Sequence, residues 1–192
     1  EDVGVIMLPR KRGGQRLADQ RAAAGGVAIH RDRNADARSA QCDALVGAAI
    51  GDGIGEAERV RTSQDGGAVL RLRDGSLVEM AARTELSISQ RRPGVTIHLD
   101  RGAVIVQAAK QRNGRLYVAT DDCTVSVKGT IFGVNHGVKG SRVSVVEGEV
   151  HVEHGNNLDV LHAGDQVATS DSVGPVPIEE EFAWSRDFDK YL

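Results

Sequence analysis

Between Leu45 and Val173 the chain is cut every few residues by a glycine turn, and no stretch between the turns is long enough for a crossover helix. Turns fall at Asp74-Gly75-Ser76, Pro93-Gly94, Asp100-Arg101-Gly102, Asn113-Gly114, Gly129, Gly137, Gly140, Gly148, Gly155 and Gly164. Most gaps match the spacing of about 8–12 residues found between consecutive short strands. Within the runs, apolar residues alternate: Val95, Ile97 and Leu99 share one face, and the same period of two recurs in 116–120, 125–127 and 143–145. β-branched residues at that period make strands with one buried face. A doubly wound α/β fold is excluded, because parallel strands need long crossovers. The middle of the chain therefore reads as all-β.

Composition narrows the class further. Lys and Arg number 24 against 27 Asp and Glu, so the basic surface that neutralises phosphates in nucleic-acid proteins is lacking. Aromatics make up 3%, which leaves the core to Val, Ile, Leu and Ala. No run of 18 apolar residues is present, so no transmembrane helix is predicted. The chain starts at Glu1 without a leader pattern and reads as a processed or excised piece, any anchor lying outside it.

Three segments follow. Residues 1–41 hold 8 Lys and Arg against 5 Asp and Glu and keep no apolar period, so they read as a basic Gly/Ala/Arg-rich arm. Within the arm, 15–24 is a candidate short helix, 27–30 a candidate strand, and Arg10-Lys11-Arg12 either a solvated cluster or a contact for anionic surfaces. Residues 42–174 form the β domain. In 175–192, Pro175-Val176-Pro177 ends the sheet, and Ile178 to Leu192 reads as an amphipathic helix with Glu179, Glu180 and Glu181 in its first turn. Trp184, Phe188 and Tyr191 lie four and three apart and form one stripe. It either docks on the chain's own sheet or forms an interface.

The most informative local stretch is Val125 to Val134. Val125 and Val127 point inward on odd positions, whereas Phe132 and Val134 are the core candidates after them, on even positions. Such a switch of parity puts side chains on the wrong face unless a residue is bulged out. Gly129 is the cheapest place for that bulge, with the Thr130 hydroxyl expected to satisfy a backbone group freed at the corner.

These residues resemble the FecR family. The resemblance rests on Thr120, on Val125 and Val127, on Gly129-Thr130-Ile131-Phe132-Gly133-Val134, and on Glu147-Gly148-Glu149-Val150. It extends to Val60-Arg61-Thr62, Asp74-Gly75-Ser76, Gly102 with Val104, and Ala163-Gly164-Asp165-Gln166, in order over about 45–170. The resemblance implies an elongated β-solenoid or β-helix-like module of short strands with glycine corners, plus the short C-terminal helix. It also implies a periplasmic or cell-surface location in bacteria and a non-catalytic role that relays an envelope signal towards sigma-factor regulation through a receptor or membrane regulator. The other reading is a structural or adhesive module, one that builds a surface assembly as a homo-oligomer or filament or binds cell-wall glycan.

Reactive constellations are not predicted. Six histidines invite a metal site, but on a strand His151 and Glu153 face away from His154, and a zinc site needs converging ligands. Asp121-Asp122 beside Cys123 reads as a turn, and Asp74-Gly75-Ser76 as a hairpin turn, since no Gly-x-Ser-x-Gly elbow surrounds the serine. No glycine-rich nucleotide loop is found. No catalytic residue, cofactor or metal is expected. For Cys42 and Cys123, a disulfide and two free thiols are equally compatible with the spacing. A weak internal echo links Val60-Arg61-Thr62-Ser63 to Val167-Ala168-Thr169-Ser170, suggesting that one strand-corner unit is reused.

Overall fold

The computed structural model describes residues 53–91, 94–110 and 115–191, together with strands at 2–8, 27–30 and 45–47. In chain order the described strands are β1 (Asp2–Leu8), β2 (Val27–His30), β3 (Leu45–Gly47), β4 (Gly53–Gly55), β5 (Arg59–Thr62), β6 (Ala68–Arg71), β7 (Leu77–Met80) and β8 (Glu85–Arg91). They continue with β9 (Gly94–Gln107), β10 (Arg115–Ala119), β11 (Thr124–Val127), β12 (Ile131–Gly137), β13 (Gly140–Glu147), β14 (Glu149–His154), β15 (Asn157–His162) and β16 (Gln166–Ala168). Helix α1 (Ile178–Phe182) follows, then a 3-10 turn at Phe188–Lys190.

Alternation turns these runs into one wall in two halves. One half runs β4-β1-β6-β7-β9-β12-β13-β16, the other β3-β2-β5-β8-β9-β10-β11-β14-β15. The long strand β9 belongs to both. Its first part pairs with β8 and β10, and its second part, from Gly102, pairs with β7 and β12. The halves face each other across one core that draws on both: Leu70, Met80, Val106, Phe132 and Val145 from the first, Leu86, Ile97, Leu116, Val125 and Val152 from the second. The sheet is nearly closed, like a barrel.

β9 bends where its bulge lies, between the Glu85 and Leu86 pairings. Gly102 sits at that bend with φ +94, and a Cβ there would lie 2.6 Å from the Thr84 backbone. Both the dihedral and the close approach require glycine. Threonine hydroxyls then pin strand ends across the corners. Thr62 Oγ1 accepts from the Thr84 amide at 2.8 Å and donates to the Ala81 carbonyl at 2.6 Å. Thr169 Oγ1 accepts from the Ser141 amide at 2.8 Å. The echo between the Thr62 and Thr169 segments thus corresponds to one corner device used twice.

All-β is what the chain adopts. The elongated solenoid is not displayed: its rungs would pair in parallel, yet among the described pairs only β9–β10 is parallel. Short glycine turns make hairpins, and hairpins make antiparallel neighbours. In the stretch read as a basic arm, 27–30 is strand β2, and 2–8 is a further strand pairing with β4 and β6. The candidate helix at 15–24, Arg10-Lys11-Arg12, Cys42 and the turn at Asn113-Gly114 lie outside the described residues.

The C-terminal segment also differs from expectation. The predicted helix of Ile178 to Leu192 is a five-residue helix and a separate 3-10 turn. Ser185 breaks it. Its hydroxyl donates to Glu79 at 2.7 Å and accepts from the Asp187 amide at 3.1 Å, the local competition by which serine interrupts helices.

Candidate functional site

The densest polar cluster lies where the β10–β11 turn meets the β12–β13 hairpin and the end of β16. Asp122 is its centre. Thr120 donates to Asp122 Oδ1 at 2.7 Å, Ser141 to the same oxygen at 2.5 Å, and Thr169 to Oδ2 at 2.5 Å. His136 Nδ1 lies 2.9 Å from Ser141 Oγ, and its Nε2 lies 3.8 Å from Asp121. A serine, a histidine and two aspartates thus share one corner. They are not wired as a catalytic triad. Ser141 is fully buried, and its single proton goes to Asp122, so His136 donates to the serine rather than accepting from it.

The cluster fastens the two halves together instead. Partial burial pushes the Asp122 carboxyl up, but the hydrogen bonds from Ser141, Thr169 and Thr120 outweigh it and, with His136, bring it down to about 2. A folded value below the ordinary 3.8 means stability that is present above about pH 4 and lost as the pH falls towards 2. The carboxylate is about a third exposed, so solvent screening reduces the contribution to about 1–2 kcal/mol. Asp122→Asn should therefore unfold at lower urea than the parent at pH 6, with the two curves converging near pH 2. Parallel curves across that range would contradict this role. Burial pushes the neighbouring Cys123 thiol up; Cys123 is a buried free cysteine.

The residues singled out by sequence occupy corners and core. Asp74, Gly75 and Ser76 close the β6–β7 hairpin. Asp74 accepts from both the Ser76 amide and hydroxyl at 2.8 Å, while the buried Ser76 Oγ accepts from the Ala109 amide at 2.9 Å. Val125 and Val127 of β11 and Phe132 and Val134 of β12 enter the same core, and a register shift lies between Ile131 and Phe132. Gly129, at φ +135, makes the corner. Glu147 and Gly148 form the β13–β14 corner, where a Cβ on Gly148 would lie 2.7 Å from the Thr130 methyl. Gly164 turns β15 into β16, its amide reaching the Val145 carbonyl at 2.9 Å. Thr130 departs from expectation: its buried hydroxyl has no hydrogen-bond partner among the described residues.

Trp184, Phe188 and Tyr191 pack on the chain's own sheet. With Phe182 and Ile178 they cover Ile105, Ile131 and Val146 on the outer side of β9, β12 and β13. Phe182 lies against Gly133, where a Cβ would be 3.0 Å from its ring, and meets Tyr191 edge to face at 5.8 Å. Gln107 donates to the Tyr191 hydroxyl at 2.6 Å. Glu181, nearly buried, accepts from Arg142 Nε at 2.6 Å.

Among the described residues no three His, Cys, Asp or Glu side chains could hold a metal ion. His154 is bound to Asp159 at 2.7 Å and His151 to Glu149 at 2.8 Å. Among the described residues the exposed large apolar ones are Val138 at the β12–β13 tip, and Leu158 and Val160 on β15. β15 pairs only with β14 among the described strands and forms an edge. Neither the Asp122 cluster nor this edge was foreseen from sequence. Thr120-x-Asp122 carried a turn signal, but nothing local announced Ser141 or Thr169.

The fold and its glycine corners thus define an all-β domain built on one two-halved wall. Residues 58–151 match the model of the FecR family, described as FecR protein. Two crystal structures of a "putative anti-sigma factor" from Parabacteroides distasonis share the fold, each with a TM-score of 0.53 at 19% identity over 59% of this chain. The match spans 55% and 56% of those chains, little more than half their length. No curated protein matches the sequence.

Proposed function

We propose that this chain is a non-catalytic, extracytoplasmic protein-interaction module that relays an envelope signal towards sigma-factor regulation. The match to the FecR family at 58–151 carries this reading. The fold likeness to a protein described as an anti-sigma factor supports it, as does the use of the Ser141, His136 and Asp122 groups in holding the corner. No helix among the described residues is long and apolar enough to cross a membrane. The partner-facing surface is the β15 edge, where unpaired backbone and the exposed Leu158 and Val160 can accept a strand. A tagged chain incubated with bacterial envelope extract should retain a receptor or membrane regulator, and Leu158→Lys with Val160→Glu should abolish that retention. Recovery of glycan alone, or of nothing by a folded chain, would sink the proposal.

The same edge supports a second reading, a structural or adhesive module that pairs with copies of itself. Light scattering across a concentration series separates the two. Growing assemblies favour the second, and a constant monomer mass removes it.

A further inference from the structure

The corner at Gly129 opens a feature that neither the family resemblance nor the proposed partner contact uses. A groove of about 330 Å³ lies beside β10, β11 and β14, and its lining includes Arg115, Ser126, Lys128, Thr130, His151 and the carboxylate residue Glu149. Alternation explains the composition. Leu116, Val125, Val127 and Val150 turn inward to the core, so Arg115, Ser126 and His151 turn outward on three adjacent strands.

The cationic groups here are unspent. Arg115 donates to the Ser126 hydroxyl at 3.3 Å, a neutral partner at long range, and meets no carboxylate among the described residues. Lys128 is exposed and makes no ion pair among them. The carboxylate in the lining, Glu149, is engaged by His151 at 2.8 Å and lies 3.7 Å from His162. Thr130 also lines the groove and is 5% exposed, and its Oγ1 is the one buried side-chain polar atom without a partner among the described residues. A buried hydroxyl left unsatisfied is costly, which makes it a marker of a missing ligand.

We propose that this groove binds a small oxyanion, a carboxylate or a phosphate, held by the Arg115 guanidinium and the Lys128 ammonium with the Thr130 hydroxyl as a further donor. The guanidinium fork suits two oxygens of such a group, and Lys128 adds a point charge. The inference rests on the groove alone and stands or falls separately from the partner reading.

Titration of the full chain with inorganic phosphate and, separately, with acetate, followed by amide chemical shifts, tests it. Saturable shifts at 126–130 and 149–151 are expected with at least one anion, and the one that saturates at lower concentration identifies the source chemistry. Arg115→Gln should weaken binding at least about tenfold, Lys128→Gln should weaken it less, and Thr130→Val should weaken it with the fold intact. Lys139→Gln, at the tip of the β12–β13 hairpin, should leave it unchanged. Absence of saturation with both anions, binding undiminished in Arg115→Gln, or equal weakening by Lys139→Gln would overturn the proposal.

Discussion

Phe132→Ala is expected to lower the free energy of unfolding by about 3–5 kcal/mol. Phe132 is fully buried, and it is the largest side chain that β12 sends into the core shared by both halves. The surrounding valines are stiff and short, so they cannot collapse into the space it would leave. Urea unfolding should show an earlier midpoint with an unchanged slope. Ile131→Ala is the control, since Ile131 faces outward under the C-terminal segment and is half-buried; its loss should be smaller. A Phe132→Ala loss below that of Ile131→Ala would mean that the parity of β12 is the reverse of the one described.

Arg142→Met should release the C-terminal segment. Arg142 and Glu181 are both largely buried, at 12% and 5% side-chain exposure. Removing one partner strands a carboxylate in a site without a counter-charge, a loss of about 3–5 kcal/mol. The loss falls on the docking of 175–192 as well as on overall stability, because Arg142 Nη1 also holds the Gly174 carbonyl at 2.9 Å. Limited proteolysis followed by mass measurement should therefore show early cleavage after Gly174 in this variant. Adding Glu181→Leu removes the stranded charge and should restore much of the resistance. A single variant as resistant as the parent would show that the aromatic contacts alone hold the segment.

Those variants also separate what sequence could reveal from what it could not. The parity change between Val127 and Phe132 was legible because a period of two is strict, and a single glycine at 129 marked where it failed. The hairpin at Asp74-Gly75-Ser76 was legible because its hydrogen bonds are local. The Asp122 cluster was hidden by distance along the chain: Ser141 and Thr169 lie 19 and 47 positions away. The C-terminal helix is shorter than its sequence pattern for a related reason. Its stripe of aromatics fits a helical period, but Ser185 answers to Glu79, 106 positions earlier. The solenoid followed from a resemblance and not from pairing, and pairing direction is decided by which strands meet across the halves.

Strand β9 has a consequence for how the molecule comes apart. Its 14 residues serve as a central strand to both halves, so neither half can shed its neighbours without exposing the other's core. Loosening is therefore concerted: the halves share one cooperative transition instead of melting as separate units. A chain divided near Gly102 would yield two fragments, each holding one side of both halves, and neither is expected to fold until both are mixed.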